Sequence, residues 1–456
     1  MTWRTQFRAA FSHFFDRSSR SSRRDPLRLA AIAPDEQDEP IPISVVNVAE
    51  RQHELRVHER DERIVQARTA SKRRSAVTRI FGANRPVDNR SELCGRQAEL
   101  SRLTGAMCDS HMHGLIFGPR GSGKTSLARV FGDYADESGF TVIYLSCAGG
   151  EEFGELMAPY LDELTASSFG MRQSEYNEAL ADIVPTLNPR SLAGLLARIH
   201  EEQVILILDE FDRVENLAVK SQMAMLAKLL SDMRSNVRLL FVGISGNVED
   251  LIGAHASIRR HLVAISVSPL QEADVDLFIQ EASKVSGISF ADPARLMIRW
   301  LARGSPYHMR LFCLQAALAA LEAGSSQVDT DNASQGLAVA VADWAMVNDR
   351  DAKLFMAQAD EGTIPLVALE SFAQTAISLV DFSRDQVKAV LVGASVPADF
   401  ASAMLDVMAP SLRLLPDAQE RYTFDDALAP QFLLAICALK RQNHIEAGLS
   451  RLAQRI

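Results

Sequence analysis

The segment HGLIFGPRGSGKTS, His113–Ser126, constrains what this chain can fold into more than any other stretch. An apolar run leads into the spacing G-x-x-x-x-G-K-[ST], with Gly118, Gly121, Gly123, Lys124 and Thr125 at the demanding positions and Pro119, Arg120, Ser122 and Ser126 completing the loop. Glycines there let the backbone curl around an anion with no Cβ in the way, so that successive N–H groups point inward. A helix starting near Lys124 adds the positive end of its dipole. Lys124 can then neutralise β- and γ-phosphate oxygens, and the Thr125 hydroxyl can ligate Mg²⁺.

A second segment gives the loop its counterpart. In EEQVILILDEFD, Glu201–Asp212, the run Val204–Leu208 is too apolar for a half-exposed strand and fits a central parallel strand covered on both faces. Acidic residues at the carboxyl end of such a strand land in the crevice where nucleotides bind. Asp209 is therefore the candidate for the Mg²⁺ shell, and Glu210 for orienting and deprotonating a water that attacks the γ-phosphoryl group.

Around these segments strand and helix alternate. Helical runs at Gln97–Met107, Thr125–Tyr134, parts of Glu151–Glu202 and Leu217–Arg234 are interleaved with strands near Phe140–Cys147, Val237–Ile244 and Val263–Val267. The expectation is an α/β fold, a doubly wound parallel sheet carrying the phosphate loop over residues 85–269. Beyond Pro269 amphipathic helices take over, giving a helical lid over 270–347. Residues 348–456 mix helices with one β-like piece, Glu420–Asp426, and suit a winged-helix-like or helical domain.

Residues 1–84 read as a basic tail, largely disordered or helical. Residues 1–90 carry 18 Lys/Arg against 12 Asp/Glu, whereas the remaining residues carry 30 against 46, so an acidic body follows a basic tail. Trp3, Phe7, Phe11, Phe14 and Phe15 fall at helical spacing beside Arg4, Arg8 and Arg17, a stripe that could dock on the body, bind a partner or lie on an anionic membrane. Ser18–Arg28 and Pro34–Pro42 read as linker, and Val46–Arg79 as exposed helix or disorder, with Lys72–Arg74 a solvated face. An acidic body makes a poor general nucleic-acid binder, so any such contact has to be local. Five cysteines without C-x-x-C spacing, and no apolar run near the roughly 18 residues of a membrane span, point to a reducing, cytoplasmic setting.

With these motifs in place the chain resembles the AAA+ ATPases over Arg85–Met346, in the branch of origin-recognition-like initiators and STAND-type ATPases. The phosphate loop and LDEFD carry most of the likeness. The resemblance implies further residues. ELCGR, Glu92–Arg96, matches the family's Gly-Arg element near the adenine. GISGN, Gly243–Asn247, stands where the family places a polar sensor of the γ-phosphate, with Ser245 and Asn247 both eligible. SIRRH, Ser257–His261, stands where an arginine finger reaches a neighbouring subunit, Arg260 first and Arg259 second. ARGSPYHMR, Ala302–Arg310, stands where a second sensor arginine sits, Arg310 first, with His308 and Arg303 as competitors.

What the resemblance implies for function is an ATP-binding and ATP-hydrolysing molecular switch. It would use ATP and Mg²⁺, form a homo-oligomer on ATP binding, and load or remodel a protein partner, with DNA bound through the C-terminal domain. Two alternatives accompany it: a signalling or defence ATPase that recruits a separate effector, and a DNA-coating regulator of transposition or replication. A metabolic kinase also uses this loop, but a water-activating Glu210 beside the Mg²⁺ ligand and a lid that follows the sheet speak against it.

Overall fold

The computed structural model describes residues 71–83, 93–183, 187–244, 256–415 and 420–453. The aromatic stripe, the linkers and the segment up to residue 70 lie outside the described residues.

The apolar runs of the sequence pair into one five-stranded, all-parallel sheet in the order β2-β3-β4-β1-β5. Its strands are β1 (His113–Phe117), β2 (Thr141–Ser146), β3 (Val204–Asp209), β4 (Val237–Ile244) and β5 (Leu262–Ser266). β3 is buried at every position, as a strand covered on both faces must be. On one face lie α2 (Gln97–Thr104), which continues as a π-helical turn Gly105–Asp109, and α3 (Lys124–Glu137). Their Leu103, Leu127 and Phe131 meet Ile116, Ile205, Ile207 and Leu240. The other face is covered by α4 (Phe153–Glu163), α6 (Pro189–Leu196) and α7 (Leu217–Asp232), with α5 (Gln173–Ile183) between α4 and α6 in the chain. The sheet is thus doubly wound, with the carboxyl ends of β1 and β3 at the same edge.

Past β5 the chain becomes helical: α8 (Glu272–Ser286), α9 (Asp292–Ala302), α10 (Pro306–Glu322) and α11 (Thr330–Val347), with β6 (Ser289–Phe290) and β7 (Gln327–Val328) paired between them. The C-terminal part follows as α12 (Asp349–Glu361), α13 (Leu366–Leu379), β8 (Asp381–Phe382), α14 (Arg384–Gly393), α15 (Phe400–Met408), β9 (Leu412–Leu414), β10 (Tyr422–Phe424) and α16 (Ala429–Ala453). β8, β10 and β9 form a small antiparallel sheet in that order, so helix, strand, two helices and a two-stranded wing succeed one another as in a winged helix. One continuous apolar core runs through all of these helices. Trp344 of α11 stacks on Phe432 of α16 at 4.7 Å, and Phe372 of α13 meets Phe424 of β10 at 5.8 Å.

Residues up to Arg79 read as exposed helix or disorder; 71–81 form a helix, α1, largely exposed but with Val77 and Phe81 wholly buried in that same core, a burial the sequence reading did not anticipate. Phe81 packs edge-on against Phe278 at 6.0 Å and lies 5.7 Å from Phe290. Two apolar residues four apart are too few to register as a helical period, but the pair suffices to anchor one turn. Lys72, Arg73 and Arg74 do face outward, with Arg74 pairing with Glu322 at 3.1 Å. No helix among the described residues is long and apolar enough to cross a membrane.

Two buried histidines make stability depend on pH. His113 accepts the Leu239 N–H at Nδ1 (2.9 Å) and donates from Nε2 to the Ala227 carbonyl (2.8 Å), a geometry that requires the neutral ring. Burial pushes its pKa down to about 4, and burial pushes that of fully enclosed His308 down to about 3. Both folded values lie below the unfolded one, so unfolding takes up protons on the acidic side. The stabilisation is fully present above about pH 6.5 and is lost as pH falls, by about 1.4 kcal/mol per pH unit for each group. Urea unfolding at about pH 7.5 and about pH 5.5 should therefore differ by roughly 2 to 3 kcal/mol, with the lower pH weaker. An unfolding midpoint that does not move over this interval rules the account out.

Candidate active site

The loop leaves β1 at Gly118, whose φ of 147° and position against β5 allow no side chain: a Cβ there would lie 2.4 Å from the Val267 carbonyl oxygen. Gly123, with φ of 94°, stands at the N-cap of α3 in the left-handed region and offers no capping side chain. The first amides of α3 are therefore left for an external anion. Lys124 is part-buried and donates to the Gly118 and Pro119 carbonyls, at 2.9 Å each. Burial lowers its pKa, while Asp212 and Asp209 act the other way.

At the end of β3, Asp209 is almost fully buried. Its Oδ1 accepts the Glu210 N–H at 2.8 Å and faces Thr125 Oγ1 at 3.4 Å, while its Oδ2 accepts the Tyr144 hydroxyl. One carboxylate and one hydroxyl beside an open cleft suit Mg²⁺, which keeps several waters and takes phosphate oxygens, and no cluster of three or more His, Cys, Asp or Glu among the described residues offers an all-protein cage. Glu210 has a left-handed backbone (φ 53°) and pairs with Arg213 at 3.2 Å. The close approach of β4 holds this turn: a Cβ on Gly243 would meet Asp212 Oδ1 at 2.3 Å and Glu210 Cα at 3.1 Å.

These groups open into a cleft of about 740 Å³, ample for a nucleotide. Its walls include the loop Pro119–Ser126, Asp209, Glu210, Arg96, and Tyr307 and Arg310 of α10. Arg96 is buried and braces the loop, donating to the Ser122 carbonyl at 3.1 Å and to the Ser268 carbonyl, with Glu99 at 3.1 Å. Arg310 donates to the Ile80 carbonyl at 3.1 Å, and its guanidinium lies 4.8 Å from the Phe278 ring centre. Of its competitors, His308 is enclosed among Tyr307, Phe312 and Phe432 with Nδ1 on Ser305 Oγ, and Arg303 ends α9 outside the cleft.

Arg259 and Arg260 are exposed on the 3₁₀ turn Ala256–Arg260 and do not line the cleft of their own chain. Ser245 and Asn247 lie outside the described residues. Sequence reasoning missed several residues of the site. Tyr144 reaches Asp209 from the edge strand without lining the cleft, while the wall residue Asp212 had no role assigned, and Arg413, Thr423 and Asp425 come from the small C-terminal sheet and the residue that follows it. Only Asp212, the last acid of LDEFD, carried a local signal, because it lies on the turn that Glu210 begins.

Residues 92–242 match the family model of the AAA ATPase domain. Among solved structures the chain is similar to the Walker-type ATPase of Pyrococcus abyssi (16% identity, 78% of this chain and 99% of that one, TM-score 0.46). It is also similar to the ORC2 protein of Aeropyrum pernix (13%, 80% and 98%, TM-score 0.43) and the RuvB Holliday junction branch migration motor of Thermotoga maritima (16%, 75% and 96%, TM-score 0.37). No curated protein matches the chain.

Proposed function

We propose that this chain, whose residues 92–242 match the AAA ATPase domain, is an ATP-driven molecular switch whose nucleotide state sets the relation between sheet, lid and C-terminal part. The observation that carries this reading is the cleft wall. The phosphate loop, α10 and the β9–β10 wing all contribute residues to it, so a nucleotide in the cleft would meet the sheet domain, the lid and the C-terminal part together. A ligand shifts such an equilibrium by its differential affinity for the arrangements, and the γ-phosphate is the group that differs between ATP and ADP.

In this reading Lys124 and the α3 amides hold the phosphates, while Thr125 and Asp209 hold Mg²⁺, which supplies charge neutralisation at the β- and γ-oxygens. Glu210 leaves Arg213 to take a proton from the attacking water, an exchange that costs little because the pair is half-exposed. Arg310 supplies positive charge from the lid. Arg260, with Arg259 beside it, reaches the cleft of a neighbouring copy, which makes assembly and nucleotide state linked equilibria.

Mass photometry of the full chain with ATP, with ADP and without nucleotide tests the assembly. Higher-order species are expected with ATP alone, and Arg259→Ala/Arg260→Ala should lower hydrolysis by roughly a thousandfold at saturating protein. A chain that stays monomeric throughout, with hydrolysis unchanged in the arginine variants, removes the oligomer from the reading. Adding duplex DNA to the same measurement separates a DNA-loading switch from one that acts on protein partners. The second of these is favoured, because α15, the helix before the wing, contains no Lys or Arg and carries Asp406.

A further inference from the structure

We propose that Tyr144 is a positioning residue for the metal-binding carboxylate, holding Asp209 in the rotamer that presents Oδ1 to Thr125 and to Mg²⁺. The inference rests on the reading that Thr125 and Asp209 hold the metal, and it names a residue that neither loop nor acidic strand motif contains.

A carboxylate on a strand end can turn about its terminal torsion, and a buried one settles wherever both oxygens find donors. Here the two oxygens have different partners. Oδ2 accepts the Tyr144 hydroxyl, whereas Oδ1 accepts the Glu210 N–H at 2.8 Å and faces the Thr125 hydroxyl at 3.4 Å. The sheet register makes this division. Tyr144 pairs with Ile207 and Ser146 pairs with Asp209, so Tyr144 stands two residues behind Asp209's own partner on the same face, a diagonal that a phenol can span.

The tyrosine is held by Arg129 as well, which places its guanidinium 5.0 Å from the Tyr144 ring centre and lies four residues after Thr125 on α3. One helix therefore delivers both the hydroxyl that faces Asp209 Oδ1 and the cation that covers the tyrosine on Oδ2. Without the phenol, Oδ2 loses its donor among the described residues and the carboxylate is free to rotate, dividing its occupancy between orientations of which one serves the metal. Groups that orient a metal ligand in this way typically change metal affinity about tenfold to a hundredfold when removed.

The test is a Mg²⁺ titration of fluorescent ATP-analogue binding to the full chain, with an EDTA baseline, for the parent, Tyr144→Phe and Asp209→Asn. The phenylalanine keeps the ring under Arg129 and removes only the hydroxyl. Its EDTA baseline should match the parent's and its melting temperature should fall by only a few degrees, the cost of one buried acceptor losing its donor, while the Mg²⁺ midpoint rises about tenfold. A midpoint within twofold of the parent's, with metal dependence lost in Asp209→Asn, overturns the role of Tyr144 and leaves the metal site standing. A metal dependence unchanged in Asp209→Asn overturns both. A Tyr144→Phe chain that fails to fold also overturns the proposal, because the hydroxyl would then serve the fold rather than the ligand.

Discussion

Lys124→Ala should lower ATP affinity by at least about a hundredfold, because in the proposed reading its ammonium meets the phosphates and each charge-assisted bond is worth roughly 1.5–3 kcal/mol. The position magnifies the effect. Lys124 is part-buried in the cleft wall, where a charge is screened less than at an open surface. The same substitution removes the two bonds to the Gly118 and Pro119 carbonyls, so a modest loss of thermal stability should accompany it. Titration of a fluorescent ATP analogue, with a melting curve as control, separates the two consequences. Affinity within threefold of the parent's would show that the loop amides alone carry the phosphates.

Glu210→Gln should leave ATP binding intact and lower the hydrolysis rate by about 10² to 10⁴, the range for removing a general base. Glutamine fits the same left-handed turn and keeps a hydrogen-bonding head, but it cannot accept the proton of the attacking water. What is lost beyond the base is the half-exposed contact with Arg213, worth about 1 kcal/mol at most. Single-turnover hydrolysis beside equilibrium binding gives the split between chemistry and affinity. A rate within fivefold of the parent's would move the base role away from Glu210 to another acid of the cleft, such as Asp212.

The groups just discussed were legible because their signal is local. Gly118, Gly123, Lys124 and Thr125 lie within one loop and one helical turn, and Asp209 and Glu210 directly follow an apolar run that can only be an interior strand. Backbone geometry does the rest: a glycine with no space for a Cβ and a helix that starts without a side-chain cap leave few ways to arrange such a loop. The doubly wound sheet was legible for a similar reason, since strands covered on both faces are apolar without alternation.

Other parts depend on contacts between residues far apart in the chain. Tyr144 meets Asp209 across 65 positions, Arg96 reaches Ser268 across 172, and Arg310 reaches Ile80 across 230. Nothing in the neighbourhood of any of these residues marks its partner. Arg96 illustrates the difference: the Gly-Arg element was visible as a motif, but its part as a brace between the phosphate loop and the end of β5 follows only from where the two segments meet. Likewise Phe81 lies among charged residues that hide it, and its burial against Phe278 and Phe290 requires the lid to be in place.

By itself, then, the sequence determined the phosphate loop, the acidic strand end and the order of the layers, because spacing and hydrophobic period act over a few residues. Tertiary structure alone decided that the helix 71–81 belongs to the core, that His308 is enclosed rather than aimed at the cleft, and that Arg413, Thr423 and Asp425 of the small sheet share a wall with the phosphate loop. The physical reason is that a cleft wall is a property of packed surfaces, and packing brings together residues whose local sequence carries no trace of one another.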